Sequence, residues 1–200
     1  MDIKCHPEID ESPLLEDDMA SKYHSVIGSL NWIITLGRFD VHYATNTLSR
    51  FSMAPRQGHL DAALRVLAYL KQCPQGRILI DTSVPLSKLT NEEANWREQY
   101  PDAEEELPPN MPLPRGRPVR ITAYVDADHA HNLVTRRSVS GVVIFLNNTP
   151  VRWLCKRQPT VETSTYGSEM VAARIATDGD GATISAKDAR CEVGRTCTYV

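Results

Sequence analysis

A chain of 200 residues, 42% hydrophobic and 24% charged, has the composition of a globular protein and is too apolar for a disordered one. Its length suits one sizeable domain or two small ones, and its formal net charge of −3 argues against a strongly basic nucleic-acid binder while leaving local basic patches open. The five cysteines, Cys5, Cys73, Cys155, Cys191 and Cys197, contain no CxxC pair. Neither a zinc site nor a disulfide framework is supported, and free thiols in a reducing compartment are expected.

The first residues, "MDIKCHPEIDESPLLEDDMA", lack the basic-then-apolar order of a signal peptide. No apolar run approaches the ~18 residues that a membrane span requires. The expectation is a soluble intracellular chain, cytoplasmic or nuclear, without membrane contact. Residues 1–20 read as an acidic, extended lead-in.

From Ser21 the pattern turns helical. Tyr23, Ile27, Leu30 and Ile34 recur at three- and four-residue steps, Ser21 or Asp18 can serve as N-cap, and Gly37 is placed to end the helix. A second helix carries Val41, Ala44, Leu48 and Phe51 along one side and stops before Pro55. A third, from about Gly58 to Gln72, aligns Leu60, Ala63, Leu64 and Leu67 until "CPQG" breaks it. Their apolar stripes predict a helical unit over residues 21–80 with its own core, closed by a short strand at "RILI" (Arg77–Ile80).

Residues 81–118 are acidic and then proline-rich, which disfavours helix interiors and sheet ladders, so they read as a linker or surface insertion. After Pro118 the period changes to two. "VRITAYVD" (Val119–Asp126) places Val119, Ile121, Ala123 and Val125 on one face. "GVVIFL" (Gly141–Leu146) and "VRWLCK" (Val151–Lys156) flank the turn-forming "NNTP" and read as a hairpin. "TSTYGSEMVAARIATD" (Thr163–Asp178) then reads as a helix with a hydroxyl N-cap at Thr163 or Ser164. Residues 179–200 show no clear period and are expected to be an unmatched, disordered tail. The predicted class is α+β: about three helices, then a three-stranded meander followed by a helix over residues 119–178.

Within "AYVDADHAH" (Ala123–His131), Asp126 and Asp128 are two apart and share one face of the predicted strand. Two-metal phosphodiester hydrolysis needs carboxylates converging on paired hard cations, and a common solution sets an Asp on a strand against a Glu on a helix packed across it. Asp126 and Glu169 occupy such positions in the predicted order. His129 and His131 lack a third ligand at zinc spacing and read as polar loop residues. No GxSxG, GxGxxG or GxxxxGK[ST] motif is present.

Two blocks of the chain resemble the copia-type retrotransposon Pol polyprotein, from the end of the reverse transcriptase into the ribonuclease H domain. The first block supplies Tyr23, Gly28–Leu30, Arg38–Asp40, Asn46–Phe51, His59 and Tyr69–Lys71. The second supplies Asp126–Ala127–Asp128, the Arg136–Arg137–Ser138 and Gly141 spacing, and Trp153, Lys156, Gln158 and Glu169. The resemblance implies a ribonuclease H-like fold that cleaves the RNA strand of RNA–DNA hybrids with two Mg2+ ions. Asp126 would be its strand carboxylate, Glu169 its helix carboxylate and Asp128 an accessory metal ligand.

Arg136, Arg137, Lys156 and Arg157 would be available to phosphates. The reverse transcriptase portion of the same element is a further implied partner. Ser138 and Gln158 fit the pattern without an implied catalytic role. Phe39 replaces the pattern's proline, and after Asp178 nothing matches the strand that should bear a third catalytic Asp. The enzyme reading therefore stands beside two others: a non-catalytic remnant that binds nucleic acid weakly or serves only in interactions, and a segment 120–178 that does not fold stably. Of these, the sequence favours a chain that does not cleave by itself.

Overall fold

The computed structural model describes residues 6–83, 101–102, 119–178 and 193–199. A 3-10 turn at Pro7–Ile9 precedes α1 (Asp17–Thr35), a second 3-10 turn at Phe39–Val41, α2 (His42–Ser49) and α3 (Gln57–Gln72). Strands β1 (Val119–Asp128), β2 (Val139–Leu146) and β3 (Thr149–Arg157) follow, then α4 (Thr165–Asp178) and β4 (Val193–Tyr199). The expected α+β order is observed, with helices first and the meander after.

The apolar spacing of the helices accounts for their packing. All four residues of the α1 stripe, Tyr23, Ile27, Leu30 and Ile34, are buried. Tyr23 and Ile27 meet Leu48 of α2 and Leu60 and Ala63 of α3 in one core cluster. At ~1.5–3 kcal/mol for each large apolar side chain, this burial is what holds three short helices together. The Tyr23 hydroxyl also donates to the Leu48 carbonyl at 2.6 Å, tying α1 to the end of α2.

Gly37 ends α1 as expected, and the reason is geometric. Its φ is +111°, its N–H donates to the Ile34 carbonyl at 3.0 Å, and the Arg38 N–H returns to the Ile33 carbonyl at 3.2 Å. This is the paired bonding of a Schellman stop, in a conformation that L side chains rarely adopt.

At the buried start of α3, His59 accepts the Arg56 N–H at Nδ1 and donates from Nε2 to the Pro7 carbonyl at 2.9 Å. A residue of the resembling pattern thus has a structural role here.

Several local expectations fail. Helix α1 begins at Asp17 rather than near Ser21, because Asp17 and Asp18 complement the dipole of its first turn and Glu16 takes the N-cap position without a side-chain bond. Leu64, expected in the core, is 38% exposed. "RILI" is not a strand: Leu79 and Ile80 are 72% and 77% exposed, since a short apolar run without a neighbouring strand has no ladder to join. Asp81 instead bonds Thr149 at the hairpin turn, its N–H reaching the hydroxyl at 2.8 Å. Most of the expected linker 81–118 lies outside the described residues.

The sheet has four strands in the order β3-β2-β1-β4. β1, β2 and β3 form the expected antiparallel meander, and Asn147, with φ of +53°, turns the hairpin. Residues 193–199, expected to be disordered, instead form β4, which runs parallel to β1. The periodicity reading missed it because parallel pairing is a long-range contact with no local signature of its own.

Helix α4 packs across β1 and β2, its Ala176 against Ile121, Val142 and Ile144. The Gly167 N–H donates to Ser164 Oγ at 3.1 Å, the hydroxyl cap that the sequence offered. Among the described residues, no helix is long and apolar enough to cross a membrane.

Candidate functional site

Strand alternation decides what the carboxylates can reach. The register pairs Ala123 with Ile144 and Val125 with Val142, and this is the face that α4 covers. Asp126 pairs with Gly141 and Asp128 with Val139, so both carboxylates share the opposite face with Tyr124, as their spacing predicted. That second face looks toward the helical unit. Phe39 stacks on Trp153 with ring centroids 5.2 Å apart, and the Asn46 side-chain amide donates to the Cys155 carbonyl. The sheet is therefore a middle layer, with α4 on one side and α2 on the other.

A cavity of about 620 Å³ remains between the sheet and the helical unit, lined by Phe39, Tyr43, Tyr124, Asp126, Asp128 and Trp153. Gly141, directly across the ladder from Asp126, also lines it, and a Cβ there would meet nothing within 4 Å. Asp126 is exposed. Asp128 is held by His131, whose Nδ1 lies 2.7 Å from Oδ2.

His131 Nε2 lies 2.6 Å from the Tyr43 hydroxyl, on α2. In the neutral ring, Nδ1–H donates to Asp128 and Nε2 accepts from Tyr43. The His6 ring stacks on His131 at 5.2 Å. Burial raises the Tyr43 phenol to about 12, with the Asp128 carboxylate adding to the effect, so the hydroxyl stays a donor.

His131, expected to be a bystander, thus bridges the sheet and the helical unit across 88 residues of sequence. No spacing rule links Tyr43 to His131, so the contact was invisible in the sequence. His129 makes no such bridge, and its Nδ1 is buried without a partner.

The remaining candidates scatter. Glu169 is exposed near the start of α4, whose Ala176 packs on the face of the sheet opposite Asp126. Arg157 pairs with Val139 and so shares the Asp128 face, whereas Lys156 pairs with Ser140 and points to the α4 side. Arg136, with φ of +55°, and Arg137 lie in the turn before β2.

Ser138 and Gln158, fully buried, are structural. Ser138 Oγ accepts the Ala130 N–H, and Gln158 Nε2 donates to Ser140 Oγ at 2.9 Å and the Ser168 carbonyl at 2.8 Å. They join the loop, the hairpin and α4.

A two-metal centre requires carboxylates that converge from several elements. Asp126 and Asp128 come from one strand and Glu169 from α4. Among the described residues, no three His, Cys, Asp or Glu side chains converge as a metal site would require. Without a third converging ligand, that donor set does not fit a Mg2+ pair. Asp180 and Asp188 lie outside the described residues.

The chain resembles known proteins over about three quarters of its length. It is 27% identical over 149 residues to the retrovirus-related Pol polyprotein from transposon RE1 of Arabidopsis thaliana. That match covers 74% of this chain and 8% of the polyprotein. It is 26% identical over 149 residues to the corresponding polyprotein of transposon RE2 from the same plant, with the same coverage of each chain. It is also 27% identical to the secreted RxLR effector protein 161 of Plasmopara viticola, over 78% of this chain and 86% of that protein. No protein-family profile matches, and no solved structure matches. The chain is thus a relative of retroelement Pol polyproteins that spans about a twelfth of their length (8%).

Proposed function

We propose that this relative of Pol polyproteins is a nucleic-acid-binding segment that holds an RNA–DNA hybrid through its phosphates without cleaving it by itself. One observation carries the reading: among the described residues, no three His, Cys, Asp or Glu side chains come together as a metal pair would require. Charge supports the binding half. Arg136, Arg137, Lys156 and Arg157 surround the same end of the β2–β3 hairpin and can make charge-assisted contacts to phosphate without reading sequence. The natural partners are the hybrid and other domains of the same polyprotein, in the cytoplasm or nucleus.

Fluorescence anisotropy with a short labelled RNA–DNA hybrid in EDTA tests the binding. Affinity is expected to fall linearly with salt on logarithmic axes, with a slope of roughly −2 to −4 for a few phosphates neutralised. No binding at the lowest salt, or an affinity indifferent to salt, would overturn the reading.

A further inference from the structure

Arg50 belongs to the Asn46–Phe51 stretch of the resembling pattern, which implied no role for it, and its setting is unusual. It follows α2 directly and is half-buried. One of its guanidinium nitrogens, Nη2, is closed off from solvent and has no hydrogen-bond partner. Asn46, one turn earlier, is fixed to the Cys155 carbonyl of β3. Arg157 lies two residues beyond Cys155 on the same face of that strand. The helix and the strand thereby bring two guanidinium groups together from distant parts of the chain.

Burial, and after it the neighbouring Arg157 cation, hold the Arg50 guanidinium below its ordinary value. Cys155, Tyr43 and Glu8 act on Arg50 in the opposite, favourable sense but less strongly, and Glu8 is already engaged by His6 Nδ1 at 3.1 Å and by the Leu133 N–H at 2.9 Å. Neither arginine forms an ion pair with a carboxylate among the described residues. Two adjacent, partly desolvated cations without an anion are an unfavourable arrangement that a ligand of opposite charge would relieve. Guanidinium forks match the oxygens of a phosphate group in geometry as well as charge.

We propose that Arg50 and Arg157 form a phosphate clamp at the junction of α2 and β3, and that its ligand is a backbone phosphodiester of the bound nucleic acid. The proposal rests on the hybrid-binding reading and adds to it a site contributed by the helical unit. A strand seated there would lie beside the cavity that holds Asp126 and Asp128, since Cys155 and Tyr43, both neighbours of Arg50, also line that cavity.

The test uses the full chain with Asp126→Asn as background, in EDTA, and compares Arg50→Gln, Arg157→Gln and the conservative Arg50→Lys. Circular dichroism first establishes that each variant is folded, with Arg157→Gln as the deciding variant should Arg50→Gln unfold. Each Gln variant is expected to flatten the salt dependence of hybrid binding by about one phosphate, a slope change of ~0.9, and Arg50→Lys is expected to retain most of that slope. Inorganic phosphate is expected to raise the melting temperature of the background protein more than that of either Gln variant.

Unchanged salt slopes together with equal protection by phosphate would overturn the clamp. Protection by inorganic phosphate with an unchanged hybrid slope would overturn its assignment to the nucleic-acid backbone. Failure of the background protein itself to bind hybrid would instead remove the reading on which the clamp rests.

Discussion

Replacing Tyr23 by alanine is expected to destabilise the helical unit by about 4 kcal/mol, measured as a shift in the chemical-denaturation midpoint. Tyr23 is fully buried at the meeting of α1, α2 and α3, where its ring contributes to the cluster with Ile27, Leu48, Leu60 and Ala63. Truncation there leaves a ring-sized cavity that three short helices can only partly close. Phenylalanine separates ring from hydroxyl. It keeps the packing and loses the bond to the Leu48 carbonyl, and because that carbonyl also accepts the Phe51 N–H at 3.0 Å, the cost should be only about 1 kcal/mol.

The same residue predicts a response to alkali. Burial raises the Tyr23 phenol to about 12 from its ordinary value near 10. Between those values the unfolded chain has released the proton and the folded chain retains it. Tyr23 therefore contributes stability that is complete below about pH 10 and is lost as pH rises toward 12. Tyr23→Phe should flatten that part of the pH–stability curve; a curve as steep as that of the wild type would assign the loss to other groups.

Gln158→Ala is the second large effect, expected at about 2–4 kcal/mol with α4 the first element to loosen. Its amide donates to Ser140 on β2 and to the Ser168 carbonyl on α4, and its own N–H donates to the Ser138 carbonyl at 2.9 Å. Alanine leaves a void and a buried hydroxyl without its donor. Methionine preserves most of the volume and removes the buried Oε1, which has no partner, so Gln158→Met should cost less than half as much. Hydrogen exchange on the alanine variant should show α4 amides losing protection before those of β1 and β2. Simultaneous loss across the sheet would contradict the role of this side chain in tying α4 to the hairpin.

What the sequence disclosed follows from which interactions are local. The α1 stripe, the glycine stop at Gly37, the Asn147 hairpin and the Ser164 cap all depend on residues within a few positions of one another, and each is found where its pattern pointed. The common face of Asp126 and Asp128 was legible for the same reason, since a strand fixes it by alternation alone.

Failures came where a distant partner decides. β4 depends on pairing with β1, "RILI" had no neighbouring strand, and the Tyr43–His131–Asp128 bridge joins segments with no shared period. The placement of Glu169 belongs to this second kind. Its helix was legible, but which face of the sheet it would cover relative to Asp126 was not, because both faces offer a strip of side chains and only the packing of Ala176 on Val142 and Ile144 selects one. Gln158, by contrast, was visible as part of a resembling pattern and is accounted for here by burial and bonding alone.

The chain is proposed to bind a hybrid which it does not cut. The most direct test is incubation of the purified chain with Mg2+ and an RNA–DNA hybrid labelled on the RNA strand, beside Asp126→Asn at equal concentration. The expected result is intact RNA with both proteins, under conditions where anisotropy shows the hybrid bound. RNA cleavage that requires Mg2+ and disappears in Asp126→Asn would contradict it, and would mean that Asp126 takes part in metal-dependent hydrolysis.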